Sequence, residues 1–279
     1  MPSSPYRGPG PNRPTDVPLP PAHMPLLRGG RLLKRWRYVG AYGPERSLCV
    51  AAVRIGPLRQ SFWAVWDRAA GRLHQRTRIG GAGGVRMGPG SVSVVDSGVA
   101  IELEFEEDAG IEVVTPYGSG YAWTRKQGGV PIRGRVELDG EARELDCLGI
   151  VDDSAGYPPR HTTWRWSAGV GEATDGRAVA WNLVTGIHDS AERSERTVWV
   201  DGAPHEVGPV EFADDLSSIA FAEGGTLSFV AEAVRARRDN LLIFRSEYEQ
   251  PFGTFAGALP GGIEFAAGYG VMERHAAVW

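Results

Sequence analysis

The chain has 279 residues, 42% hydrophobic and 23% charged, with a net charge of −4 and a pI near 5.9. That length and balance fit one large or two small β domains of a globular protein, and a slightly acidic chain with no massed basic face excludes nucleic acid as a partner. Two cysteines in apolar settings, Cys49 and Cys147, exclude a disulfide framework and a structural zinc site, and no apolar run approaches the roughly 18 residues of a spanning helix.

Residues 1–27 open the chain, and the first 25 hold nine of its 20 prolines. Prolines at that density, with Gly, Ser and Asn between them, predict a disordered or polyproline-like arm. The N-terminus has no apolar core of signal-peptide type. With the reduced cysteines this makes the expected location cytoplasmic.

From there the signal is β throughout. FWAVW (62–66) is apolar on both faces and predicts a doubly covered strand. VAIELEFE (99–106) alternates, with Ile101, Leu103 and Phe105 inward and the glutamates outward. TPYGSGYAWTRKQGG (115–129) sets Tyr117, Tyr121 and Trp123 among glycines, with Arg125 and Lys126 beside them, a candidate pocket lip. Asp139-Gly140, Asp175-Gly176, Asp201-Gly202, Gly224-Gly225 and Gly261-Gly262 punctuate strand-like runs as hairpin turns. FADDLSSI (212–219) has room for one turn of helix. The pattern predicts an all-β protein of barrels or sandwiches. We divide its body into an N-terminal β domain, 28–145, and a C-terminal one, 146–279, sharing a sizeable interface.

The densest chemistry lies in DDSAGYPPRHTTWRWSAG (152–169). Gly-Tyr-Pro-Pro forces an extended turn, and HTTWRW alternates as a strand, with Trp164 and Trp166 on one face and Thr163 and Arg165 on the other. Asp152 or Asp153 is a candidate acid or base, with Tyr157 and His161 as partners. A carboxyl beside tryptophan faces would have its pKa raised by desolvation and would hold a proton near neutral pH. The bland alternative is that the aspartates satisfy turn amides, Tyr157 is a corner and the tryptophans are core. Trp181 and Asn182 on the return strand, and Trp199 beyond it, complete the candidate substrate-binding set with Tyr117, Tyr121, Trp123, Trp164 and Trp166. Asn182 in an apolar strand needs a backbone or ligand partner. His188-Asp189 reads as a turn pair and Glu195-Arg196 as a solvated ion pair. Glu247 to Gln250 precede a proline turn as a possible rim. None of the six histidines forms a metal-binding spacing, so no metal is expected.

DDSAGYPPRHTTWRWSAG, WNLVTGIHD (181–189), SERTVWVDG (194–202) and the terminal QPFGTFAGALPGGIEFAAGYGVME (250–273), with KRWRYVGAYGPE (34–45) and QSFWAVWD (60–67) upstream, resemble a bacterial domain-of-unknown-function family over residues 28–279. At greater distance the chain is similar to the carotenoid hydratase (hydroxyneurosporene synthase) and AttH-like group. The resemblance implies two packed lipocalin-like β domains, a site near their junction, no cofactor, and acid chemistry by Asp, His, Tyr and Trp residues. The expected function is acid–base catalysis on an apolar, isoprenoid-like substrate: alkene protonation leading to hydration or cyclisation. The alternatives are a non-catalytic lipophile-binding protein and a carbohydrate-active β protein. The expected partner is a small apolar molecule, with no nucleic acid and no stable membrane insertion.

Overall fold

The computed structural model describes residues 4–10, 12–81, 83–241 and 244–279. Among them the chain is β throughout, and no helix is long and apolar enough to cross a membrane. The arm carries β1 (Tyr6–Arg7), β2 (Leu27–Arg28) and β3 (Arg31–Leu32). The N-terminal body follows with β4 (Lys34–Tyr42), β5 (Arg46–Ile55), β6 (Leu58–Asp67), β7 (Arg72–Ile79), β8 (Val85–Gly88), β9 (Ser91–Asp96), β10 (Val99–Phe105), β11 (Ile111–Tyr117), β12 (Gly120–Leu138) and β13 (Glu141–Gly156). The C-terminal body has β14 (His161–Glu172), β15 (Ala178–Thr185), β16 (Thr197–Val200), β17 (Ala203–Glu206), β18 (Val210–Phe212), β19 (Ser218–Phe221), β20 (Thr226–Leu241), β21 (Phe244–Leu259) and β22 (Ile263–Val278).

Two large antiparallel sheets result, ordered β7-β6-β5-β4-β13-β12-β10-β9-β8 and β17-β16-β15-β14-β22-β21-β20-β19-β18, with β11 and β1 branching from β12, while β2 and β3 pair as a small separate sheet. Each large sheet curls into a lipocalin-like barrel. In the first, Arg76 and Arg78 on the edge strand β7 reach across to Asp96 on β9, the neighbour of the other edge strand, at 2.6 and 2.7 Å. β12 is long enough to serve two partners because its register shifts between Gly128 and Val130. Its first half pairs with β11 and its second with β10. Gly128 cannot be replaced without a clash, since a Cβ there would run into the Trp199 ring of the other barrel.

Alternation explains the cores. Trp63 and Val65 of β6 point into the first barrel with Ile101, Leu103 and Phe105 of β10. Phe62, Ala64 and Trp66 point the opposite way, into the interface between the barrels. FWAVW is therefore covered on both faces, and each large apolar side chain so buried contributes about 1.5–3 kcal/mol. The second barrel is filled by Trp181, Phe255, Phe265 and Phe229. Asp139-Gly140 and Asp201-Gly202 form two-residue turns with both residues at positive φ (52° and 88°, 48° and 78°), as a hairpin matched to strand twist requires.

Three expectations change. The proline arm is packed onto the body: Tyr6 pairs opposite Val114, and Val17, Leu19 and Met24 are buried with Trp123 and Tyr157. Its apolar residues between the prolines have a surface to cover, which composition alone does not show. The boundary lies at 157–160 and not at 146, because β13 stays in the first sheet through Gly156, paired with β12 and β4. Residues 213–217 form a turn with Leu216 at φ 60°, and no helix.

Candidate active site

The facing sides of the two barrels line a cavity of about 130 Å³ between them. Its walls are aromatic and aliphatic, with Trp36, Tyr38 and Phe62 from the first barrel and Trp164, Trp166 and Tyr248 from the second. Into this apolar space project the ionisable groups Lys126, Asp152, His188, Glu195, Arg235, Glu273 and His275. Burying so many of them is costly unless each is paired or neutral.

One group of partners centres on Lys126. β12 and β13 pair Lys126 directly opposite Asp152, and its Nζ lies 2.7 Å from Asp152 Oδ1 and 3.4 Å from Glu195 Oε1. Burial works against the ammonium, but the two carboxyls outweigh it and raise its pKa. Burial likewise pushes Asp152 up, to about 6, against the pull of Lys126 and with the help of Glu195. Glu195 is raised by burial too. One ammonium facing two carboxyls leaves a single negative charge, so the trio is a ready place to store a proton. Glu195 Oε2 has no hydrogen-bond partner among the described residues. Beside it, His188 binds Thr115 Oγ1 through Nδ1 at 2.8 Å and leaves Nε2 unpartnered. Burial, then the charge of Lys126, lowers its pKa to about 3, so it is neutral.

The second group centres on Glu273. Trp164 Nε1 donates to its Oε1 at 2.7 Å and Gln250 Nε2 to its Oε2 at 2.9 Å. Burial still dominates and pushes its pKa up to about 7. His275 packs at a 46° tilt against Trp164 with ring centroids 4.2 Å apart and meets Ser246 Oγ through Nε2 at 2.7 Å. Burial, then Arg235, lowers its pKa to about 3.

The residues singled out in the sequence divide sharply. Asp152, Trp164 and Trp166 line the cavity. Asn182 stands behind it, accepting from Trp166 Nε1 at 2.8 Å and donating to the Glu195 carbonyl at 3.0 Å. Tyr117 is one layer away, its hydroxyl accepting from the His188 amide at 2.9 Å. Asp153 points to the opposite side of β13, where Arg37 and Arg125 hold it at 2.9 and 2.7 Å. His161 is exposed at the start of β14 and lines no part of the cavity. Tyr157 is fully buried under the arm with its hydroxyl on the Pro25 carbonyl at 2.5 Å, and Tyr121 packs against it with its hydroxyl on Pro18. Trp123 donates to Glu112 beside the arm. Trp181 donates to Ser167 inside the second barrel, and Trp199 packs in the interface. These side chains hold the frame.

Lys126, Glu195, His188, Glu273, His275 and Arg235 complete the site from outside that set. Glu195 and Arg196 are no solvated pair. Both are buried, Glu195 toward Lys126 and Arg196 toward the carbonyls of Asp189, Ser190 and Val207. Asp189 does serve its turn, accepting from the Gly186 amide at 2.7 Å, while His188 leaves the turn for the cavity.

The fold has solved counterparts. Kievitone hydratase from Nectria haematococca aligns with 86% of this chain and 88% of its own, at 11% identity and a TM-score of 0.52. A protein of Nitrosomonas europaea provisionally named AttH covers 92% and 98% at 14% identity and a TM-score of 0.45. CghA covers 95% and 95% at 12% identity and a TM-score of 0.39. No curated protein sequence matches the chain. Residues 92–279 match a family described as Domain of unknown function (DUF2804).

Proposed function

The chain belongs to the DUF2804 family, and we propose that it is a cofactor-independent acid–base enzyme acting on an apolar, isoprenoid-like alkene. One observation carries this reading: two buried carboxyls, Asp152 and Glu273, line one aromatic-walled cavity, and burial holds both able to carry a proton near neutral pH.

In the proposed reaction a protonated carboxyl, Glu273 or Asp152, gives its proton to one alkene carbon. The π pair forms the new C–H bond, the carboxylate remains, and the other carbon becomes cationic. The faces of Trp164, Trp166 and Tyr38 stabilise that charge. Water then adds and returns its proton to the carboxylate, giving an alcohol. Alternatively a second double bond attacks and the proton is lost from the ring product. The dry wall delays premature quenching of the cation. The Lys126 trio supplies and recovers the proton, with neutral His188 as the relay its free Nε2 allows. The same fold in a protein named as a hydratase agrees with this reading. The aromatic enclosure weighs against a carbohydrate substrate, which needs an open cleft between facing carboxylates.

The test is incubation with a panel of terpenoid alkenes in D2O. An alcohol or ring product bearing one solvent deuteron on carbon is expected, with loss of turnover in Glu273→Gln and Asp152→Asn. Alkenes recovered unlabelled across the panel would make the protein a binder instead.

A further inference from the structure

Arg235 carries no proton in the proposed reaction, yet it is 2% exposed and lines the cavity. It projects from β20 across the interface, and its Nη2 donates to Thr77 Oγ1 of the first barrel at 2.8 Å. Its guanidinium lies between two rings, 3.9 Å from the Phe62 centroid and 4.8 Å from that of Tyr248. Those ring faces offset part of the buried charge. They accept no directed hydrogen bond along the guanidinium edge, and Nε and Nη1 have no partner among the described residues. Two unsatisfied donors on a buried cation are an unusual expense in a folded chain. The space that Arg235 borders is the cavity.

The approach to the cavity points the same way. A larger groove of about 1060 Å³ adjoins it, sharing Trp36, Val53, Gln60 and Ser154 with its lining. The groove is edged by Arg35, Arg54 and Arg59, all exposed. Clustered arginines at a mouth with apolar walls concentrate and steer anions.

We infer that Arg235 anchors an anionic oxygen of the ligand, so that the cavity takes an apolar molecule ending in a carboxylate or a phenolate. Nε–H and Nη1–H leave different edges of the guanidinium, so either can give the anionic oxygen a charge-assisted hydrogen bond, while the two flanking rings hold the group in place. The apolar body of the ligand then lies along the tryptophan wall beside Glu273. The inference takes from the proposed function only that this cavity is the ligand site.

Calorimetric titration tests it with two matched pairs: decanoate against 1-decanol, and 4-nitrophenolate against 4-nitroanisole. The wild type should bind the anion of at least one pair about tenfold or more tighter than its neutral partner, and the pair showing the preference tells carboxylate from phenolate. In R235Q the preference should collapse to within twofold while the neutral probe binds as before. Where R235Q does not fold, R235K carries the test: it should lose affinity for the preferred anion severalfold and leave the neutral probe unchanged. Equal affinities within both pairs in the wild type overturn the inference. So does a preference that survives in R235Q, or an equal loss for both probes in R235K. Because the readout is binding, anion capture without alkene turnover would sink the proposed function alone. Turnover of neutral alkenes without anion preference would sink this inference alone.

Discussion

Trp164 donates its indole N–H to Glu273 at 2.7 Å, within a cavity that otherwise disfavours the carboxylate. The bond stabilises the charged form, while burial opposes it and wins. The Glu273 pKa of about 7 reflects burial set against this bond and weaker contributions from its other neighbours. Trp164→Phe keeps an aromatic wall and removes the donor. Its Glu273 should titrate about one unit higher, since a hydrogen bond to a charged group is worth roughly 1.5–3 kcal/mol and one unit about 1.4. Carboxyl titration of the variant checks this; an unchanged midpoint would deny the indole any part in the tuning.

Lys126 is the single cation between two buried carboxyls. Lys126→Met should cost about 3–5 kcal/mol, because it strands carboxyls that burial already penalises. Asp152→Asn should cost much less, since Lys126 keeps Glu195 as its counter-charge. Urea denaturation of both variants separates them, and equal losses would mean that the trio does not act as a charge-balanced unit.

Acid should destabilise the fold through its buried histidines. His188 and His275 are held neutral, their pKa values lowered from 6.5 to about 3. The unfolded chain takes up a proton below pH 6.5 that the folded chain refuses. The stability they contribute is therefore present above pH 6.5 and is lost as pH falls toward 3. Glu273 acts in the opposite sense, its contribution being full below its unfolded value of 4.5 and lost as pH rises through about 7. His275→Gln should remove one histidine's share, about 1.4 kcal/mol per pH unit. Denaturation midpoints at pH 4.5 and 6.5 should therefore converge in the variant relative to the wild type. Midpoints as far apart as before would show His275 already protonated in the fold.

His161 belongs to the densest motif of the chain yet sits exposed at a strand end. His161→Ala should leave any alkene turnover within about twofold of wild type and shift stability by less than about 0.5 kcal/mol. A hundredfold loss would place it in the chemistry after all.

The difference between His161 and Glu273 shows what was legible before the fold. Alternation and Asp-Gly turns marked the strands, and FWAVW disclosed its two covered faces, because period-2 burial is written in neighbouring residues. Asp152, Trp164 and Trp166 could be picked out because they share one short segment. Glu273 could not. It sits between Met272 and Arg274 and acquires its setting only when β22 pairs with β14 and brings it opposite Trp166. Arg235 hides in RARR, where Arg238 is exposed and only strand alternation turns Arg235 inward. Lys126 stands beside the glycine-rich run that marks a pocket lip, and it meets Asp152 only when β12 and β13 pair. Chemistry assembled across strands depends on register, which a linear reading does not supply.

The proposed reaction draws on Glu273 holding a proton near physiological pH inside this cavity. The most direct measurement is a difference infrared titration of the full chain, wild type minus Glu273→Gln, from pH 5 to 9. A protonated-carboxyl band is expected at pH 5.5 and should disappear with a midpoint near 7. A Glu273 carboxylate already fully ionised at pH 5.5 would contradict it.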